Sequence, residues 1–300
     1  MSNYHNPVML QECIEALNIK PNGTYVDVTF GGGGHSREIM KHLGENGKLI
    51  AFDQDADAQR NKIDDKRFVF VDQNFRYLKN FCRLHGATKV DGILADLGVS
   101  SHQFDEAERG FSIRFDAELD MRMNQQSELT AKQVVNTYSE AELHRIFGIY
   151  GEIQNAKSLA KTIVTGRLNG QLSTVADLKN TITGLIPRGK EHKYLAQVFQ
   201  ALRIEVNQEL EVLKDFLQQS ADVLATGGRL VVMSYHSLED RLVKNFIAKG
   251  KFSGEVEKDF YGNDQKPLEA VSRGAITATE EEIKENNRAR SAKLRIAVKK

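Results

Sequence analysis

A chain of 300 residues with 40% hydrophobic content can bury one large core or two modest ones. Its 41 basic and 41 acidic residues cancel, which excludes a globally basic nucleic-acid binder and leaves any nucleic acid to be met by a local patch. No apolar run approaches membrane-spanning length, residues 1–7 lack the basic-then-apolar pattern of a secretion signal, and only Cys13 and Cys82 are present; a reduced, cytoplasmic protein with no membrane partner is expected.

In chain order, Val8, Met9, Cys13, Ile14 and Leu17 recur at helical spacing after Pro7 and predict a helix packed beside the first strand. That strand, Tyr25 to Phe30, breaks into four glycines, Gly31 to Gly34. Consecutive glycines cost backbone entropy, so they point to positive φ or to a ligand that approaches the main chain closely. A helix beginning near His35 would present free N–H groups to that ligand.

Gly47 to Asp53 reads as the second strand, ending in a carboxylate about twenty residues beyond the glycines, where doubly wound sheets place the acid that binds ribose hydroxyls. The nicotinamide fingerprint G-x-G-x-x-G is incomplete, because Ser36 stands at the third glycine position. Asp27 lies four residues before Gly31, and this D-x-x-x-G-x-G pattern resembles the nucleotide loop of class I S-adenosylmethionine (SAM) methyltransferases, with Thr29 at a position often held by glycine. SAM is preferred over NAD on this loop.

Phe68 to Val71 is a short third strand, followed by Phe75 and a helix through Tyr77, Leu78, Phe81 and Leu84. Phe75 sits where an adenine could be stacked, although an aromatic there is more often core. The fourth strand, Val90 to Asp96, again ends in a carboxylate. The next convincing strand, Arg229 to Ser234, lies more than 130 residues further on, far beyond the needs of one crossover helix. The intervening sequence is helical in character, with a capping box at Ser139-x-x-Glu142 and a cap at Ser173 or Thr174. Leu195 to Leu224 keeps helical spacing and predicts one long or bent helix returning to the sheet; Arg203, Asn207 and Glu209 on it read as solvated or capping residues before functional ones. The tail from Lys284 is basic around a last strand, Leu294 to Val298, and is equally a phosphate contact or solvated charge.

Ordered motifs run from His5-Asn6-Pro7-Val8-Met9 through Asp27 to Ser36, Asp96-Leu97-Gly98-Val99-Ser100-Ser101, Glu108 to Ser112, Leu119 to Met123, Phe199 to Asn207 and Ser234 to Arg241. Together they resemble the RsmH, or MraW, family of bacterial methyltransferases over nearly the whole chain. The resemblance implies an α/β fold: a class I SAM-dependent methyltransferase (Rossmann-like) sheet with an inserted all-helical subdomain. We place the discontinuous SAM-binding domain at 1–103 and 193–300 and the inserted, substrate-recognising domain at 104–192. The implied activity is N4-methylation of a cytidine of 16S rRNA near the decoding site, with 16S rRNA in the small ribosomal subunit as partner and homodimerisation left open. One departure is Ser272 to Thr279, where relatives tend to carry prolines and a lysine, which leaves the path of that loop open.

Carried over by position, Gly33, Gly34 and His35 would surround the methionine part of SAM, Asp53 would hold its ribose, and Phe75, Asp96 and Gln103 would complete the cofactor site. The cytosine amino lone pair is delocalised into its ring, so an acceptor aligned with an amino hydrogen would favour attack and take the proton. Asp96 has the place of the Asp/Asn/Ser-Pro-Pro-aromatic loop used by many amino-methyltransferases, although Leu97-Gly98 replaces the prolines. Tyr235 could stack the base, and His236 is a second catalytic candidate or, equally, a hydrogen-bonded structural histidine. No Cys/His grouping has metal-ligand spacing, so no metal is expected. The competing readings are a methyltransferase acting on DNA or protein, and a non-catalytic ribosome-assembly factor that retains the fold.

Overall fold

The computed structural model describes residues 7–100, 103–104 and 106–300; His5, Asn6 and Ser101 of the motifs above lie outside them. The chain divides into two compact units, 1–98 with 210–300, and 99–209.

In the first unit, and among the described residues, seven strands form one sheet: β1 (Thr24–Asp27), β2 (Lys48–Asp53), β3 (Phe68–Asp72), β4 (Val90–Asp96), β5 (Leu224–Ser234), β6 (Leu268–Ala270) and β7 (Lys293–Lys299), in the order β3-β2-β1-β4-β5-β7-β6. β1 to β5 pair in parallel, and β7 runs antiparallel between β5 and β6. The chain walks outward from β1 to β3 and then restarts at β4 on the other side of β1, so the topological switch point lies between β1 and β4, the place where open α/β sheets form a ligand crevice. This is the Rossmann-like sheet expected from the sequence. β1 ends in Asp27 and β4 in Asp96 at that crevice.

Parallel strands are covered on both faces, which explains their near-continuous apolar sequences. Val26, Ile50, Ile93 and Leu230 bury one face with Leu213, Phe216 and Leu217 of α9 (Glu209–Val223) and with Val243, Phe246 and Ile247 of α10 (Ser237–Lys249). Tyr25, Leu49, Leu94 and Val231 bury the other with Cys13, Ile14 and Leu17 of α1 (Leu10–Leu17) and Ile39 and Met40 of α2 (Gly34–His42). α3 (Leu78–Leu84) adds Leu78 and Cys82. α1 begins two residues later than its apolar spacing suggests, because Met9 adopts a left-handed φ of 50° and its N–H donates to Glu282 Oε1 at 2.6 Å. Glu282 belongs to α11 (Glu280–Glu285), so the tail secures the start of the chain. The late loop reaches α11 through an antiparallel bridge between Ile276 and Leu294 and a cap at Thr279. Arg295, Lys293 and Lys300 of the basic tail pair with Asp240, Asp240 and Glu269.

The second unit carries α4 (Ala131–Thr137), α5 (Glu140–Ile149), α6 (Ala156–Gly166), α7 (Val175–Ile182) and α8 (Glu191–Asn207). Reciprocal capping boxes begin three of them, at Thr130/Gln133, Ser139/Glu142 and Thr174/Asp177, so the second cap falls on Thr174 and not Ser173. Val134, Ile146, Phe147, Leu159, Ile163 and Leu178 form its core with Leu195, Val198 and Leu202 of α8. That burial draws α8 into this unit, which is therefore wider than residues 104–192. The one long or bent helix expected over 195–224 is two helices, because Gln208 takes a left-handed φ of 51° between α8 and α9. Asn207 is spent locally: it accepts from Met123 N and donates to the Met121 carbonyl, while Arg203 pairs with Glu209 at 2.7 Å. The Leu119–Met123 motif is structural here too, with Arg122 bidentate on Asp120 and the Arg109 guanidinium donating to the Arg122 carbonyl.

Candidate active site

The glycine loop is built from β1 outward. Gly31 and Gly33 take left-handed φ values of 49° and 76°, a region in which glycine carries no steric cost. Gly34 has a different reason: a Cβ there would lie 2.3 Å from Pro7 Cγ, so packing alone requires glycine. Asp53, at the end of β2, accepts from Gly31 N at 2.7 Å and from Asp55 N at 2.9 Å and so ties the loop to the neighbouring strand. Asn61 Nδ2 donates to the Gly31 carbonyl at 3.0 Å from the other side.

Asp27 is the fully buried carboxylate of the site and was not among the residues assigned from sequence, although its place before the glycines was visible. Ser36 Oγ donates to its Oδ2 at 2.7 Å, and Thr29 N to its Oδ1 at 3.1 Å. This explains both departures from the glycine pattern. A glycine at 36 would leave a buried carboxylate oxygen short of its donor. Thr29 Oγ1 also accepts from Asp96 N at 2.7 Å, which links the loop to β4.

Asp96 stands at the switch point with a quarter of its side chain open to solvent. Tyr235 Oη donates to its Oδ1 at 2.7 Å, and His35 Nδ1 lies 3.9 Å from its Oδ2. The other ring nitrogen of His35, Nε2, is 3.2 Å from the Val8 carbonyl. A carbonyl can only accept, so Nε2 carries a hydrogen and Nδ1 is the nitrogen turned to Asp96. Desolvation pushes the Asp96 carboxyl up to about 6 against the opposing pull of His35 and the Tyr235 hydroxyl, with Asp27 and Glu239 adding repulsion. Solvent reaching the open quarter screens part of that penalty. Desolvation also raises Asp53 to about 6, although its two backbone donors oppose the shift, and pushes the Tyr235 hydroxyl well above its ordinary value.

His236 is placed differently from a free base. It is the first residue outside α10: its Nδ1 faces Glu239 N at 3.5 Å, and its Nε2 lies 3.2 Å from Glu239 Oε1. The buried Glu239 carboxylate in turn accepts from Tyr235 N at 3.0 Å. The pair is a capping box with histidine in the place of serine or threonine. Phe75 packs edge-on against Phe216, with centroids 5.4 Å apart, so its partner in the structure is core. Gln103 belongs to the second unit, where its buried side chain accepts from Ser100 N at 3.1 Å and Ser100 Oγ accepts from its own N–H. The structure therefore joins Gly33, Gly34, His35, Asp53 and Asp96 along one sheet edge and adds Asp27, Ser36, Thr29 and Tyr235.

The profile of the MraW methylase family matches residues 2–300. This chain belongs to that family. A protein of Christiangramia forsetii named ribosomal RNA small subunit methyltransferase H is 58% identical over 299 residues, covering 100% of this chain and 99% of the relative. Its namesake in Cytophaga hutchinsonii is 60% identical, covering 98% and 99%, and one in Bacteroides fragilis 56%, covering 100% and 98%. For a member of the MraW methylase family, the site has the parts a methyl donor requires: a glycine loop running into a helix N-terminus, and two partly open carboxylates, Asp53 and Asp96, at the ends of β2 and β4 on either side of β1. A carboxylate suits a ribose diol at Asp53, and an anion at Asp96 suits a sulfonium cation.

Proposed function

We propose that this member of the MraW methylase family transfers a methyl group from SAM to N4 of a cytidine in 16S rRNA near the decoding site of the small ribosomal subunit. The observation that carries the reading is the Asp96 carboxylate at the switch point, bound by the Tyr235 hydroxyl at one oxygen, with its backbone N–H donating to Thr29 and a quarter of its side chain open to solvent. SAM supplies an activated methyl, so the protein's share is to orient the amine, exclude water and remove a proton. Asp53 holds the ribose, and the loop Gly31 to Gly34 with the start of α2 lines the amino-acid portion. Asp96 accepts a hydrogen bond from the cytosine amino group, which localises the nitrogen lone pair, and takes the proton as the new N–C bond forms. His236 serves the start of α10 and does no proton transfer.

The helical unit supplies substrate recognition. Within it, Arg114 and Lys179 stand with His192 and Glu191 around a cleft of about 340 Å³, and the two cations are local charge that a neutral protein can offer to RNA phosphates. The namesake relatives support ribosomal RNA over DNA or protein, and the intact Asp53 and Asp96 pair argues against a non-catalytic assembly factor. The protein works in the cytoplasm in this reading. Mapping of 16S rRNA from cells lacking the protein tests it: one N4-methylcytidine should disappear, and an unchanged methylation map would refute the assignment.

A further inference from the structure

A carboxylate that takes a proton must be held and kept ionised, and the structure supplies two helpers from two different elements. Tyr235, after β5, occupies one oxygen of Asp96; His35, in the first turn of α2, faces the other. The His35 ring is buried, and its Nε2 hydrogen is directed at the Val8 carbonyl. Its Nδ1 is thereby the nitrogen turned to Asp96 Oδ2, at 3.9 Å an electrostatic contact longer than a hydrogen bond. The family resemblance implies a cofactor role for His35, and the place of Tyr235 after the fifth strand suggests base stacking; neither accounts for these contacts.

We infer that Asp96, His35 and Tyr235 form a proton-accepting triad, in which Asp96 Oδ2 takes the amino proton, Tyr235 holds the carboxylate in place, and His35, as the imidazolium, favours its ionised form. This rests on the amino-methyltransferase reading. The balance is simple: as the methyl–nitrogen bond forms, one N–H bond breaks, and its proton passes to Asp96 Oδ2, which later releases it to solvent. Tyr235 and His35 act through Asp96 and are positioning residues.

The groups facing Asp96 are His35 of α2, Asp27 of β1, Tyr235 and Glu239 around the start of α10, and Cys13 of α1. His35 and Tyr235 favour the ionised form, and Asp27 and Glu239 oppose it. Removing either helper must therefore make the carboxyl harder to ionise. The experiment has two arms. In the cofactor-free protein, carbon-13 NMR of labelled aspartate, assigned with Asp96→Asn, follows the Asp96 titration in the parent, Tyr235→Phe and His35→Gln. Each variant should titrate at higher pH by about half a unit or more, the scale of one lost hydrogen bond. In the second arm, single-turnover methyl transfer at saturating SAM and RNA is measured against pH, and the acidic limb should move by the same amount in the same variants.

A merely structural role would lower the rate without moving either midpoint, and that result overturns the triad. Shifted NMR midpoints with an unmoved kinetic limb overturn it as well, since Asp96 would then not be the group that takes the proton. Native-like NMR spectra of Tyr235→Phe, which removes one oxygen atom, show that the comparison is made on folded protein. Failure of the parent to methylate any cytidine removes the underlying reading, and the proposal with it.

Discussion

The Tyr235 hydroxyl donates to Asp96 Oδ1 at 2.7 Å across 139 residues of sequence. The two meet because β4 and β5 are parallel neighbours with Asp96 in register with Met233, so the residues after each strand emerge side by side. A carboxylate fixed at one oxygen has the other left for chemistry. Asp96→Asn keeps the size and one acceptor but loses the charge. Single-turnover transfer should fall by roughly a hundredfold or more even at saturating SAM and RNA. Full recovery of rate at high SAM would reduce Asp96 to a cofactor contact.

Asp53 has two duties, and its replacement separates them. Asp53→Ala should weaken SAM binding by about 1.5–3 kcal/mol, measured by calorimetry, through loss of a charge-assisted bond to the ribose. It also releases the Gly31 amide, so Asp53→Asn, which keeps one acceptor for that amide, should retain more of the loop's order. Unchanged affinity in the alanine variant with the fold intact would remove Asp53 from the site.

Ser36→Ala tests why the third glycine of the fingerprint is absent. The hydroxyl serves the buried Asp27 carboxylate, and its loss should destabilise the cofactor-free protein by about 1.5–3 kcal/mol, the usual range for a hydrogen bond to a charged group. Burial already raises the Asp27 carboxyl, and losing this donor raises it further. Denaturant titration gives the value; a neutral effect would mean that Thr29 alone satisfies Asp27.

The strands of the site were legible because runs of strand formers end in Asp27, Asp53 and Asp96, and the insertion because more than 130 residues separate the strand formers ending at Asp96 from those beginning at Arg229. Partnerships were not. Nothing local marks that Tyr235 reaches Asp96, since that contact exists only once β4 and β5 pair. β6 is three residues long and leaves no periodic trace. The break at Gln208 was hidden because apolar spacing continues on both sides of a single left-handed residue. Of the two readings of His236, the structural one had a signal that was available: the spacing His236-x-x-Glu239 ahead of an apolar-periodic stretch is that of a capping box.

Asp53 and Asp96 also set a pH dependence. Both carboxyls rise from 3.8 unfolded to about 6 when folded, so the stability they lend is complete below about 4 and is lost as the pH climbs through about 6. The thermal midpoint of the cofactor-free protein should therefore decline across that window. The Asp53→Asn, Asp96→Asn double variant should show a flatter profile, and an equal slope in both proteins would contradict the shifts.

Transfer in a purified system tests the central claim most directly. Small subunits lacking the modification are incubated with the protein and SAM carrying a heavy-isotope methyl, and the 16S rRNA is digested to nucleosides for mass spectrometry. The account predicts one labelled N4-methylcytidine per subunit, absent when the Asp96→Asn variant is used for the same single-turnover time. Label on another base, on carbon 5 of cytosine or on a ribosomal protein would contradict it.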